Sequence, residues 1–137
     1  MGRSSYLAPP PGTMERAHFY KWMAYLTNTV QVEHLKRAYP DRHVSDPAAA
    51  ADVKATAFRR LDAQFAHVAR ELGEGPWLLG ERYSAADMFL LMMVMWGKSM
   101  PNRAGAIPAL AAHGTRVLAR PAVQAALAAE NLSAPFI

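Results

Sequence analysis

With 137 residues, no cysteine and a formal net charge of +4, the chain fits one domain that can bury well over half of the surface its unfolded form exposes. The absence of cysteine excludes disulfides, thiolate zinc sites and a cysteine nucleophile, and it suits a reducing, cytoplasmic compartment. Basic residues run from Arg3 to Arg120 with acids among them, and only Lys36-Arg37 and Arg59-Arg60 are adjacent. Without a basic stripe or a recognisable motif, no nucleic-acid partner is expected.

The chain opens on "MGRSSYLAPPPGT", which has no apolar stretch of signal-peptide length and no amphipathic transit pattern. Residues 1–12 read as an extended, proline-rich lead-in, and residues 13–137 as the helical domain proper. Thr13 can cap the first helix, with Glu15 favourable in its first turn. Phe19, Trp22, Met23, Leu26 and Val30 then recur at offsets of three and four until Pro40 ends the pattern. Within residues 19–26 only Lys21 is polar, apart from the Tyr hydroxyls, which is wider than one core-facing stripe and predicts contacts on two sides.

A loop, "YPDRHVSDP", leads to a second long helix from Asp46 or Pro47 to Leu72, whose Val53, Ala57, Leu61, Phe65, Val68 and Leu72 form one face. Gly73 and Gly75-Pro76 close it. Trp77, Leu78 and Leu79 form a short apolar connector expected to reach the core. Next comes "YSAADMFLLMMVMW", in which Ser84 at the N-cap and Asp87 three positions on have the spacing of a capping box. Tyr83 and Met88 then occupy the positions of a hydrophobic staple, so these four residues are assigned to shaping the helix entry. The nine apolar residues 88–96 rise only about 14 Å as a helix against a hydrocarbon core of about 30 Å, so no membrane span is expected. Two shorter helices, Pro108–Leu118 and Pro121–Ala129, complete an all-α, five-helix bundle around a buried central third helix.

The order of a Pro-rich lead-in, "ERAHFYKWMAYL", a second long helix, "GPWLLGERYSAADMFLLMMVMW" and "IPALAAHGTRVLARPAVQAAL" resembles the C-terminal helical domain of the glutathione S-transferase family. The likeness runs from about Ala8 to Leu132. It implies that Ser84 and Asp87 are folding elements, and that this half contributes a hydrophobic-substrate wall and dimer contacts. In such transferases a thioredoxin-like domain binds glutathione and activates its thiol. The twelve residues before Thr13 hold no such pattern, so the resemblance implies no catalytic residue and no glutathione site on this chain alone. Bacterial relatives place a His-Lys pair late in the first helix, and the matching positions here are Gln31 and Val32. A homodimer or a thioredoxin-like partner domain is the implied company.

Other chemistry finds little footing. The five histidines show no HxxxH or HxxE spacing, so no metal is expected. No GxSxG elbow and no phosphate-cradling glycine loop precedes a helix. The four methionines within residues 88–95 are read as core filler in preference to a ligand pocket. Tyr25, Asn28 and Thr29 stand at i, i+3 and i+4 and, with Val32, form the candidate substrate wall. The alternative is a free-standing helical module that dimerises or docks through the over-apolar face of the first helix, or that carries a small apolar ligand.

Overall fold

The computed structural model describes residues 7–137; residues 1–6 of the expected lead-in lie outside the described part. Thr13 caps α1 (Met14–Tyr25) by accepting the Arg16 N–H at 3.2 Å. A π-helical segment, Leu26–Val30, and α2 (Gln31–Ala38) follow without interruption, so the first helix reaches the expected stop before Pro40 as one rod. Lys36 and Arg37 stand in its last turn, where cations complement the helix dipole.

The second helix starts later than its pattern suggests. Asp46 caps a 3-10 turn, Pro47–Ala49, through its carboxylate and the Ala48 N–H at 2.9 Å, and α3 begins only at Ala50 (Ala50–Leu72). Five of the six expected positions, Ala57, Leu61, Phe65, Val68 and Leu72, are buried, while Val53 is half-buried. Gly73 ends α3 at φ 55°, a left-handed value that a Cβ would oppose. The connector folds into a tight turn at Gly80, with bridges Trp77 to Gly80 and Leu79 to Arg82, and sends Leu78 inward. Trp22 Nε1 donates to the Leu78 carbonyl at 3.1 Å and ties this turn to the first rod. α4 (Ala85–Trp96), α5 (Pro108–Leu118) and α6 (Pro121–Ala129) follow, α5 and α6 each opening on a proline whose missing N–H is not needed there. With the rod of α1 and α2 taken as one, these are the five expected helices.

The core gathers Phe19, Trp22, Leu26 and Val30 from the first rod, Leu61, Phe65 and Val68 from α3, and Leu90, Met93 and Val94 from α4. Each such side chain contributes about 1.5–3 kcal/mol through burial. The wide apolar segment of the first helix is therefore mostly core: Phe19 and Trp22 are buried, Met23 is half-buried, and Tyr20 is exposed beneath the Arg16 guanidinium at 4.7 Å. The alternative of docking through this face thus finds only Tyr20 of the four side chains exposed. An outward apolar surface lies elsewhere, on α4.

Candidate functional site

Asp87 is wholly buried and its two oxygens collect four hydrogen bonds. Oδ2 accepts the Ser84 N–H at 2.8 Å and the Ser84 hydroxyl at 3.1 Å, and the two residues close a capping box on α4. Oδ1 accepts the Leu78 N–H at 2.8 Å and lies 3.0 Å from His113 Nε2 on α5. One carboxylate thus fastens a helix start, the preceding turn and a neighbouring helix. Nothing can reach it from solvent, so its chemistry is that of a tie.

Tyr83 and Met88, the staple positions, are both half-buried. They line an apolar groove of about 320 Å³ between α4 and α6, completed chiefly by Met92, Met95, Val123 and Leu127. Leu7 stands at its edge, and the Leu7 carbonyl accepts the Ala85 N–H at 2.8 Å. Of the four methionines in residues 88–95, only Met93 is core; Met92 is 36% exposed and Met88 and Met95 are half-buried. The expectation that they act as core filler is corrected on this point. A helix that is apolar all round here serves a core on one side and an open groove on the other. Arg120 stacks on the Tyr83 ring at 3.6 Å, while burial pushes the Tyr83 hydroxyl pKa up against the lowering influence of Arg120.

The four candidate wall residues have different surroundings. Tyr25 turns to α3, its ring edge-on to His67 at 5.3 Å and to Trp22 at 6.1 Å, and burial raises its pKa despite Arg70. Asn28 is exposed, whereas Thr29 and Val32 are half-buried. The π segment lies between Tyr25 and Val32, and its wider turn advances each residue through a smaller angle, which sets Asn28 further round from Tyr25 than an α-helix would.

At the other end of α4, Arg37 makes a clamp that sequence reading missed. Its guanidinium donates to the Trp96 carbonyl at the end of α4, to Ser99 Oγ at 3.3 Å and to His34 Nδ1 at 3.0 Å. α4 has no basic residue in its own last turn, so a cation from α2 satisfies its terminal carbonyl. His34 is buried between Phe65 and Trp96, and burial with the adjacent Arg37 lowers its pKa to about 4 against the opposing Met93 carbonyl. It is neutral near pH 7. Histidine 113 left no trace in local spacing because its partner, Asp87, comes from another helix, and the burial of His34 likewise depends on Phe65 and Trp96 from α3 and α4.

Among the described residues, no three His, Asp or Glu side chains are placed to hold a metal ion, and no helix is long and apolar enough to cross a membrane. Comparison with known proteins gives the architecture its context. The glutathione S-transferase GstA of Escherichia coli O157:H7 is 25% identical over 126 residues, covering 92% of this chain and 59% of that protein. The bacterial glutathione S-transferase BphK, solved as a ternary complex, superposes with a TM-score of 0.79 at 31% identity, over 92% of this chain and 60% of its own. A sphingomonad glutathione S-transferase complexed with glutathione gives 0.78 at 28% identity, over 93% and 60%. The chain thus spans about 60% of the length of these relatives. The model of the glutathione S-transferase C-terminal domain matches residues 31–101, which hold the Arg37 clamp, α3 and the Asp87 tie. By that match, and by the bundle just described, the chain belongs to the glutathione S-transferase family as its C-terminal helical domain.

Proposed function

We propose that these 137 residues act as the helical half of a glutathione transferase. In this reading they offer an apolar wall to the second substrate and work with a thioredoxin-like domain that binds glutathione and activates its thiol. The observation that carries the reading is the open groove of Met88, Met92, Met95, Val123 and Leu127 beside Leu7. An apolar surface of this kind is costly to leave in water and marks a docking face. We assign it to the thioredoxin-like partner. The wall itself falls on Thr29 and Val32 with Asn28 at its rim and Tyr25 behind, where the π segment re-aims the rod.

On this assignment the chain by itself conjugates no glutathione, because thiol activation belongs to the thioredoxin-like domain, and Asp87, wholly buried here, is engaged in four hydrogen bonds as a structural tie. The alternative, a free-standing module that dimerises or carries an apolar ligand, rests on the same groove, because nothing about its lining is specific to one occupant.

Calorimetry with glutathione and a conjugation assay on an aromatic chloride electrophile, using the purified chain at high concentration, separate these readings. Neither heat nor turnover is expected until a thioredoxin-like glutathione transferase domain is added in trans, and Met92→Lys should abolish that association without lowering the melting temperature. Turnover by the chain alone would overturn the assignment. A tight homodimer that Met92→Lys dissociates would favour the free-standing module.

A further inference from the structure

A second cleft, of about 340 Å³, opens between the end of α2 and the start of α3 and is lined by Glu33, Lys36, His43, Asp52, Thr56 and Arg60 over the side chain of Val53. Glu33 is its unusual member, being only 6% exposed although it carries a carboxylate. Oε1 accepts Lys36 Nζ at 2.8 Å and Arg60 Nη1 at 3.3 Å. Oε2 is buried and has no hydrogen-bond partner among the described residues. A desolvated carboxylate oxygen without a donor is destabilising, and an apolar side chain of similar volume would pack there at less cost. The fold therefore gains nothing visible from this oxygen.

We propose that the cleft binds a small zwitterion carrying both an ammonium and a carboxylate, of the amino-acid or short-peptide class. The ammonium supplies the donor that Oε2 lacks. Access comes from movement of Lys36 or Arg60, whose side chains are 28% and 56% exposed. Asp52, Thr56 and Arg60 recur at four-residue intervals, so α3 presents one polar strip to the opening. Two acids, Glu33 and Asp52, stand against two bases, Lys36 and Arg60, and their formal charges cancel. Such a cleft suits a neutral molecule with separated charges better than a bare anion or cation, because each ligand pole meets an opposite group and no net charge is buried. Arg60 or Lys36 takes the ligand carboxylate, with His43 and Thr56 as further polar partners.

The test is an amide chemical-shift titration of the full chain with glycylglycine, run beside N-acetyl-glycylglycine, glycylglycine amide and inorganic phosphate. Saturable shifts on α2 and α3 are expected with glycylglycine, and each capped form should bind at least about tenfold more weakly. Glu33→Gln, Arg60→Gln and Asp52→Asn should each weaken binding by about tenfold or more. Because Glu33→Gln touches a buried ion pair, melting curves accompany every variant, and the exposed Arg60 and Asp52 variants decide the matter if Glu33→Gln does not fold. Absence of saturable shifts, equal binding of the capped peptides, or phosphate binding in place of the dipeptide would overturn the proposal. Unchanged binding in both Arg60→Gln and Asp52→Asn would do the same.

Discussion

Asp87 Oδ1 and His113 Nε2 lie 3.0 Å apart with both residues essentially out of solvent. The carboxylate fixes the imidazole tautomer: Nε2 carries the proton that faces it, and Nδ1, which has no partner among the described residues, keeps a lone pair. Trp77, edge-on to the same ring at 6.0 Å, encloses it.

Asp87→Ala strands the Ser84 and Leu78 N–H groups together with His113, which is more than the loss of a helix cap. The expected destabilisation is about 3–5 kcal/mol in urea unfolding, well above the roughly 1 kcal/mol of an ordinary capping substitution. Asp87→Asn should recover only part of it, since the amide turns a donor towards groups that are themselves donors. A loss no larger than that of a cap would show that the contacts to Leu78 and His113 carry little energy.

The buried His34 gives a pH dependence whose sign follows from its lowered pKa, about 4 against 6.5. The unfolded chain binds a proton there below pH 6.5 and the folded chain does not until about pH 4. Stability from this group is thus complete above the unfolded value and is lost as pH falls through that window, by about 3 kcal/mol in all. Urea titrations at intervals between these limits should show a slope close to one proton that His34→Leu removes. A slope that is the same in both proteins would place the titration on other groups.

Arg37→Gln tests the clamp from the other side. It uncouples the end of α4 from α2 by removing the donors to Trp96 and Ser99. A loss of about 1–3 kcal/mol is expected, as for hydrogen bonds to a charged donor. Trp96, which is 38% exposed and packs edge-on to His34, should report the change by fluorescence.

These ties mark the boundary of what local pattern reveals. The helices were legible because each announces itself within its own residues: Thr13 and Pro40 bracket the first rod, Ala57 to Leu72 repeat at helical spacing, and Pro108 and Pro121 open the last two. The Ser84-x-x-Asp87 spacing likewise lies within one turn. What spacing cannot encode is a partner from elsewhere in the chain. Asp87 meets His113 across 26 residues and Arg37 meets Trp96 across 59, so neither histidine 113 nor arginine 37 looked special in sequence. The π segment was not legible for a different reason: Leu26, Thr27, Asn28, Thr29 and Val30 contain no glycine or proline to announce a change of helical period. The groove was hidden because a helix apolar all round has the same composition whether its second face is covered or open.

Gly114 and Ile137 provide the last test, because the terminal residue closes over the glycine in α5. A Cβ on Gly114 would come within 2.8 Å of Ile137 Cδ1, and one on Gly105 within 3.0 Å of Ile137 as well. Within a helix, glycine is about 1 kcal/mol less favourable than alanine, so Gly114→Ala should stabilise unless the Ile137 contact opposes it. In the native background the two effects oppose one another and the net change should be under about 0.5 kcal/mol. In an Ile137→Ala background the obstruction is gone, and the same Gly114→Ala change should stabilise by about 1 kcal/mol. Urea unfolding of the four proteins closes the cycle. An identical effect in both backgrounds would mean that the seat of Ile137 is not what opposes a side chain at position 114.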